Sequence, residues 1–496
     1  MSRLPRFIVA GMIFALLATA NGAGYRYGSS DQAFYIPAVM KVVEPASFPR
    51  DATLIDAQAG LIVVDDVLAA ASRATGLSIE TLFFVGYLLS LALTWAGLVA
   101  IGTRTYHSMW LTFALGAAFT MRHRIPLTSA NTFEPYFHPR MLAFAFGMLA
   151  IGAVLRRRGW LAVALVTVSA IVHLTTALWF AVLLGVALAI LEPTFRRLAI
   201  LAAIGAVALL IWVASVGPLR EMWVTMDPVW LQAVASKDSL FADEWPLWVW
   251  MANLGLLGVL WVAHLVRQRR GTATKEDAAL VWGATALVAL FLVTLPLVIA
   301  RLSLAVEFQI SRVFWLVDLL ATVYLLAALA EARPSRTRAT MRIAMVLIAL
   351  SASRGLYSKF IEHPERALFA VSTPSSPWQE SMAWLARQPL DTHVLADPGH
   401  AWKFGTSVRV SAGRDVFLED VKDSALAIYS RAVAVRVVER TKAIGDFSQL
   451  TADKALALAS QYDLDFLVTE ADLDLPVAYR NAQFRIYSLH SSALTR

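Results

Sequence analysis

Long apolar runs alternate with short polar segments over the first 354 residues of the chain. Runs of roughly 15 to 22 apolar residues are about long enough to cross the hydrocarbon core of a bilayer as helices. The pattern predicts eleven membrane spans, near 7–23, 80–102, 107–121, 141–155, 160–174, 176–192, 198–216, 246–266, 278–300, 312–331 and 341–354. Several are short, so we expect them to be tilted or partly buried.

After residue 354 the apolar runs become short and strand-like, and helical stretches separate them. Strands are predicted at 393–396, 407–410, 465–469 and 484–489, and helices at 378–387, 424–443 and 451–461. No glycine-rich phosphate loop follows any of these strands, so a nucleotide site is not supported. The predicted fold is therefore a polytopic α-helical membrane domain (1–354) followed by a small α/β domain (355–496).

Composition agrees with a bilayer as the solvent. The chain is 58% hydrophobic and 16% charged, whereas soluble domains carry about 25% charged residues. The net charge of +7 comes largely from short loops between apolar runs, which is how topology signals are distributed, and it does not indicate nucleic acid. With no cysteine, a disulfide, a thiolate metal site and a thiol nucleophile are excluded.

Loop charge predicts the orientation, because Lys and Arg accumulate in cytoplasmic loops. Alternate loops are short and basic, as at Arg156, Arg157 and Arg158. The opposite loops are longer and mixed in sign, namely 24–79, 122–140, 217–245 and 301–311. This pattern predicts a multi-pass protein of the bacterial inner membrane with a cytoplasmic N-terminus and a periplasmic C-terminal domain. The first apolar run is better explained as a retained anchor than as a cleaved signal peptide.

The first external loop opens with a carboxylate, Asp31, directly after the first span. Partial desolvation near the membrane surface raises the basicity of a carboxylate, and a nearby cation favours its ionised form, which together suit a general base. The alternative is that Asp31 only caps a helix.

The third span is followed by a polar stretch that leads into the fourth. Glu134 and His138 are four residues apart, but Pro135 and Pro139 disfavour a regular helix through them, so a zinc-type pair is not expected. The guanidinium of Arg140 suits an anionic headgroup or phosphate. Anchoring by snorkelling is the alternative.

Three further sets of polar residues are candidates. His173 lies at the turn of a tight apolar hairpin, as a functional residue or as one hydrogen-bonded to that turn. Arg312 enters the tenth span, either paired with Glu307 or facing a lipid phosphate. The segment around Glu419 and Lys422 is interpreted as a solvated turn, with a contact to the membrane half as the alternative.

These residues together resemble the GT-C superfamily of membrane glycosyltransferases. The segment Ser30–Tyr35 is similar to the Asp-Glu-x-x-Tyr motif of many members, and the segments 134–140, 173–176, 309–315 and 465–469 resemble bacterial proteins of this type. The resemblance implies that Asp31 is the catalytic residue, acting as base or orienting the acceptor, and that external basic residues hold the donor phosphate, for which Arg140 and Arg312 are candidates by position. The predicted substrate-binding residues are Tyr35, Glu134, His138, Arg140, His173, Glu307, Gln309 and Arg312. Gln32 stands where many relatives have a second acid, so no cofactor is predicted and a divalent metal is not supported.

The resemblance implies inverting transfer of a sugar from a polyprenyl-phosphate donor to an envelope acceptor on the external face. The expected partners are that donor and membrane lipid, with no nucleic acid, and the sequence leaves protein partners open. Two other functions stay open: a transporter or flippase for lipid-linked glycans, and a non-catalytic envelope assembly protein.

Overall fold

The computed structural model describes residues 3–59, 63–216, 223–331 and 336–490. The chain is mostly helical and forms two compact units, each discontinuous in sequence. The helical unit comprises residues 1–25, 86–226 and 238–369, and the mixed unit comprises 26–85, 227–237 and 370–496. The boundary predicted between residues 354 and 355 stays a prediction.

Helices make up most of the described chain. In chain order they are α1 (Arg3–Asn21), α2 (Gln32–Val43), α3 (Ala52–Ala59), α4 (Val64–Thr75), α5 (Ile79–Thr105), α6 (Met109–Thr120), α7 (Pro139–Val154), α8 (Gly159–Val172), α9 (Leu174–Leu191), α10 (Pro193–Ser215), α11 (Pro228–Val234), α12 (Leu247–Arg269), α13 (Lys275–Ile299), α14 (Ser303–Glu307), α15 (Val313–Glu331), α16 (Arg336–Tyr357), α17 (Pro377–Leu385), α18 (His400–Phe404), α19 (Val408–Ser411), α20 (Asp420–Leu426), α21 (Arg431–Ile444) and α22 (Ala452–Tyr462).

The strands are short. They are β1 (Tyr25–Arg26), β2 (Arg124–Ile125), β3 (Ala130–Asn131), β4 (Phe369–Ala370), β5 (His393–Ala396), β6 (Asp415–Val416), β7 (Phe466–Thr469), β8 (Val477–Arg480) and β9 (Arg485–Ser488).

Within the described part of the chain, seven helices are long and apolar enough to cross a membrane. They are Ile79–Thr105, Leu174–Leu191, Pro193–Trp212, Leu247–Arg269, Lys275–Ile299, Ser303–Ala330 and Arg338–Glu362. The predicted count of eleven is not confirmed. Four predicted spans correspond to shorter apolar helices, α1, α6, α7 and α8. A 12-residue helix such as α6 is only about 18 Å long, which is less than the bilayer core.

Close approach of backbones holds α9 in the helical unit. A Cβ atom at Gly283 of α13 would overlap the carbonyl oxygen of Leu183 in α9, and one at Gly147 of α7 would overlap the ring of Phe180. Glycine at these two positions therefore lets α7 and α13 pack directly against α9. This packing fixes the distance between the N-terminal ends of α7 and α9.

A buried ion pair joins the ends of α12 and α13. Arg267, with 2% of its surface exposed, places Nη1 2.9 Å from Oδ2 of Asp277. Tyr324 of α15 donates to the other oxygen of Asp277 at 2.9 Å. Thr274 and Asp277 also form a capping box at the start of α13. One carboxylate thus ties three helices together and stabilises the first turn of α13.

The mixed unit contains a five-stranded sheet in the order β6-β5-β7-β9-β8. β5 is parallel to β6 and β7, and β9 is antiparallel to β7 and β8. Apolar side chains from the sheet and from α17 and α19 form its core, including Trp378, Met382, Val394, Val468 and Ile486. This arrangement confirms the predicted small α/β fold in the C-terminal region.

Most C-terminal elements agree with the sequence. Strands predicted at 393–396, 465–469 and 484–489 are β5, β7 and β9, and the predicted helices correspond to α17, α20 with α21, and α22. The strand predicted at 407–410 is wrong, because this segment is the short helix α19. Ser407 caps it by accepting the backbone N–H of Arg409, and a capped first turn favours helix over strand.

A buried charge network connects the first loop to α19 and α20 inside the mixed unit. Arg409, 1% exposed, donates from Nε to Asp51 at 2.6 Å and from Nη1 to Asp423 at 2.6 Å. Glu419 lies 3.7 Å from the same guanidinium, and Arg436 forms a second ion pair with Asp51. Burial opposes ionisation of Asp51, but the charges of Arg409 and Arg436 outweigh it and hold its pKa well below the ordinary value.

Replacing Arg409 by Met leaves buried carboxylates without their main counter-charge, which costs about 3–5 kcal/mol. We expect a clear fall in the thermal unfolding midpoint of the detergent-solubilised full chain, measured by tryptophan fluorescence. The matched control is Arg431→Met, because Arg431 pairs with Asp227 at an exposed position and such pairs contribute about 1 kcal/mol or less. Equal midpoints for the two variants would contradict the role assigned to Arg409.

Asp65 in α4 is 3% exposed, and both of its carboxylate oxygens are buried with no hydrogen-bond partner among the described residues. Burial, with the neighbouring charge of Asp66, raises its pKa to about 8. The folded chain therefore keeps a proton that the unfolded chain releases near pH 4, and the free energy of unfolding falls as pH rises between about 4 and 8.

We expect Asp65→Asn to reduce this pH dependence, since the amide does not titrate, and to raise the unfolding midpoint near pH 8. Asp66→Asn is the control, because Asp66 is exposed. This variant keeps Asp65, so its unfolding midpoint should still fall as the pH rises. The measurement is the unfolding midpoint of the full chain between about pH 5 and 8. If the unfolding midpoint of Asp65→Asn changed with pH as much as that of the unchanged chain, Asp65 would not be the cause of the pH dependence.

Candidate anion-binding site

The first turns of α7 and α9 lie close together in the helical unit, and each is capped by a histidine. Nδ1 of His138 accepts the backbone N–H of Arg140 at 3.1 Å, and Nδ1 of His173 accepts that of Thr176 at 3.3 Å. The two imidazole centroids are 6.3 Å apart. Two helix N-termini therefore meet at one place, and the partial positive charge at each favours an anion.

The caps also set the tautomer of each ring. A neutral imidazole whose Nδ1 accepts a hydrogen bond carries its proton on Nε2. Both His138 and His173 thus have an Nε2–H donor when they are neutral. The hydroxyl oxygens of Thr176 and Thr175 lie 3.0 and 3.2 Å from Nδ1 of His173, which further holds that ring in place.

Two arginines share one carboxylate beside these rings. Glu134 is 3.3 Å from Nη2 of Arg140 through Oε1 and 3.5 Å from Nη2 of Arg122 through Oε2. Asn131 also donates to Oε1 of Glu134 at 2.9 Å. One carboxylate therefore holds two guanidinium groups in place in this part of the helical unit.

Arg140 is 4% exposed, so the snorkelling alternative is wrong for this residue. Its Cζ atom lies 5.8 Å from the ring centroid of Trp315, and Trp315 stacks on Phe144 with centroids 3.7 Å apart. Nε1 of Trp315 is buried and has no hydrogen-bond partner within the described ranges. The Trp315–Phe144 pair packs against the guanidinium of Arg140. Nε1–H of Trp315 is a donor that no described residue accepts.

Arg312 belongs to the same electrostatic neighbourhood, because its charge acts on the His173 ring together with those of His138 and Arg140. Oε1 of Glu307 is buried and has no hydrogen-bond partner among the described residues. The two alternatives for Arg312, a pair with Glu307 and a contact to a lipid phosphate, stay predictions. Gln309 is buried and adopts a left-handed backbone conformation with φ of 46°.

His123, next to Arg122 in the chain, forms a third ion pair. Its Nδ1 lies 2.9 Å from Oδ2 of Asp318 and its Nε2 lies 3.2 Å from the carbonyl oxygen of Ala118. Burial alone would lower the pKa of His123, but the hydrogen bond to Asp318 and its charge outweigh burial and raise it. A ring with two acceptors donates from both nitrogens only when it is protonated. His123 and Asp318 therefore form a local ion pair.

Asp31 lies in the mixed unit, at the N-cap position of α2, yet its side chain makes no capping hydrogen bond. Its carboxylate instead pairs with Nζ of Lys422 at 2.6 Å, so the capping alternative is wrong. Lys422 also lies 5.9 Å from the ring centroid of Phe34. Tyr35 is buried, with its ring 4.5 Å from that of Phe34 in an edge-on contact.

The interpretation of the Glu419–Lys422 segment as a solvated turn is wrong. Glu419 and Lys422 are 1% and 7% exposed, because Glu419 lies beside Arg409 and Lys422 reaches Asp31. Burial raises the pKa of Glu419 to about 7, against the opposing charge of Arg409.

The structure brings Glu134, His138, Arg140, His173 and Arg312 together in the helical unit, and Asp31 with Tyr35 in the mixed unit. The sequence did not predict the contacts of Arg122 and Asn131 with Glu134, of Trp315 with Arg140, or of Lys422 with Asp31. Arg122 and Asn131 stand in the same loop as Glu134, which was the available signal, whereas Lys422 is 391 residues from Asp31. Among the described residues, no group of three His, Cys, Asp or Glu side chains could hold a metal ion.

No protein-family model and no curated protein matches the chain. Among solved structures, the chain is similar to the crystal structure of the Archaeoglobus fulgidus oligosaccharyltransferase in complex with Zn and sulfate. The two are 12% identical, the alignment covers 94% of this chain and 67% of that one, and the TM-score is 0.42.

If the cluster binds an oxyanion, sulfate should raise the unfolding midpoint of the full chain beyond the effect of chloride at equal ionic strength. A ligand at a hundred times its Kd stabilises by about 2.7 kcal/mol. Arg140→Gln should remove the sulfate-specific part while Arg122 still pairs with Glu134. Arg158→Gln, at an exposed position, should keep it. A sulfate effect that is equal in both variants would be a general salt effect and would contradict the site.

Proposed function

We propose that this protein is a membrane glycosyltransferase that moves a sugar from a polyprenyl-phosphate donor to an acceptor on the external face of the membrane. The observation that carries the proposal is the convergence of the two histidine-capped helix N-termini with Arg140. These groups are all donors, and they suit the phosphate of the donor rather than its sugar.

The location of the cluster supports a lipid-borne phosphate. α9 is one of the helices long enough to cross a membrane and α7 is a shorter apolar helix, so an anion bound at their first turns lies at the end of an apolar bundle. A phosphate there can stay attached to a hydrocarbon chain that extends along the bundle. Buried cations at such a place carry a desolvation cost that a bound anion offsets.

The proposed reaction is a single displacement. The acceptor hydroxyl oxygen attacks the anomeric carbon, the bond from that carbon to the phosphate oxygen breaks, and its electron pair leaves with the polyprenyl phosphate. The hydroxyl proton passes to a general base, a role that we propose for Asp31 from its place in the sequence motif Ser30–Tyr35. Arg140 and Arg312 stabilise the additional negative charge on the departing phosphate, and the Nε2–H groups of the histidines add donors that need no protonation.

Asp31 suits this role because Lys422 holds its carboxylate in place and favours the ionised form that a base requires. Tyr35, one turn along α2, lies in the buried aromatic contact behind it. Glu134 has a positioning role, since it orients Arg140 and Arg122 through its two oxygens.

Asp31→Asn should lower transfer by about 10²–10⁴-fold, the usual contribution of a general base. The measurement is release of polyprenyl phosphate from a radiolabelled polyprenyl-phosphate sugar by membranes that contain the full chain. Asp56→Asn is the matched control, because Asp56 also pairs with a lysine, Lys41 at 2.6 Å, but is mostly exposed. Transfer that persists in Asp31→Asn at equal protein level would rule out Asp31 as the base.

A further inference from the structure

A large groove in the helical unit has a lining that includes none of the residues of the anion cluster, Arg122, Glu134, His138, Arg140, His173 and Arg312. It has a volume of about 1040 Å³ and runs between α1, α5 and α6. The indole of Trp95 lies in the groove, and two glycines make room for it. A Cβ at Gly11 would come within 2.9 Å of Trp95 Cδ1, and one at Gly116 within 2.8 Å of its Cζ3. Trp95 is held by a hydrogen bond of 3.1 Å from Nε1 to the carbonyl of Phe7.

The groove is polar at one end and apolar along its length. Arg6, Thr103, His107 and Ser108 lie at the end where α1 and α6 begin and α5 ends. From there the α1 wall continues from Phe7 to Leu17, which is a length of about 15 Å at the rise of an α-helix. This is the shape of an amphiphile with an anionic head and one extended hydrocarbon chain.

The surroundings of the groove indicate lipid rather than water. Apolar side chains of α1 are about half exposed, among them Ile8 at 55%, Met12 at 55% and Leu16 at 47%. An exposed apolar face of this kind marks contact with lipid or with another protein. A neighbouring protein helix would fill the apolar length but would leave the cationic end without a partner, whereas a phospholipid satisfies both parts.

We propose that this groove binds one anionic phospholipid, with an acyl chain along Trp95 and the phosphate at Arg6 and His107. The guanidinium and the imidazole supply donors for the phosphate oxygens, and basic residues at a membrane surface attract anionic headgroups. The bound lipid would fill the space between α1 and its neighbours. The proposal does not depend on sugar transfer, since it uses none of the residues assigned to the anion cluster or to Asp31.

The first test is native mass spectrometry of the purified full chain with phosphatidylglycerol or phosphatidylcholine of equal chain length. We expect one phosphatidylglycerol to be retained, and more strongly than phosphatidylcholine. Ala10→Trp fills the groove, because Ala10 lines it, and should reduce this adduct to background. Ile8→Trp is the matched control on the same helix, since Ile8 does not line the groove. Loss of the adduct in both variants, or in neither, would overturn the proposal.

The headgroup is tested separately. Arg6→Gln should reduce the preference for phosphatidylglycerol over phosphatidylcholine about fivefold, because one basic residue near a membrane surface is worth about that factor. Arg197→Gln, exposed at the start of α10, should leave it unchanged. An unchanged preference in Arg6→Gln would refute the assigned phosphate position.

A measurement on the unaltered chain removes dependence on variant folding. Photoactivatable phosphatidylglycerol with a diazirine in its acyl chain should label peptides of α1 and α6, mapped by mass spectrometry, and unlabelled phosphatidylglycerol should compete. Labelling spread evenly over all apolar helices would identify bulk lipid and overturn the proposal. Competition by polyprenyl phosphate but not by phosphatidylglycerol would overturn it in favour of a second donor site.

Discussion

The structure of the mixed unit depends on pairing its buried charges, above all the guanidinium of Arg409. Its guanidinium lies wholly inside the unit, in contact with Asp51, Asp423 and Glu419. Each of these ions is costly to remove from water, and the cost is offset only when the geometry of the pair is good. The pair with Arg409 therefore fixes the position of the loop that carries Asp51, although this loop is far from α19 in sequence.

The same constraint distinguishes two kinds of charged group in the helical unit. Some buried ions there are matched: Arg267 faces Asp277, and His123 faces Asp318. At the start of α7, by contrast, Arg140 and Arg122 share Glu134, and two histidines direct helix caps to the same place. Helix N-termini and guanidinium donors that converge at one place favour a bound anion, whereas the one-to-one ion pairs stabilise the packing of the helices.

The two proposals use different physical properties of the helical unit. The anion cluster depends on buried donors whose orientation is set by helix caps, so it can discriminate the charge and shape of a phosphate. The groove along α1 depends on apolar area and on two exposed polar residues at its rim, Arg6 and His107. We therefore expect the affinity of the groove for a lipid to depend on headgroup charge and chain length. It does not need the exact placement of groups that catalysis requires.

The sequence by itself determined the apolar helices, the α/β character of the C-terminal region and the polar residues worth attention, because apolar periodicity and unusual charges near membrane spans are local signals. Its count of eleven spans is not confirmed, since hydropathy does not distinguish a 12-residue buried helix such as α6 from a membrane crossing. Only the tertiary structure decided which charges meet. Asp31 pairs with Lys422, Asp51 with Arg409, and His138 lies beside His173, because packing of helices and loops distant in sequence brings them together. Distances between such residues are set by the whole fold and leave no pattern in any one segment.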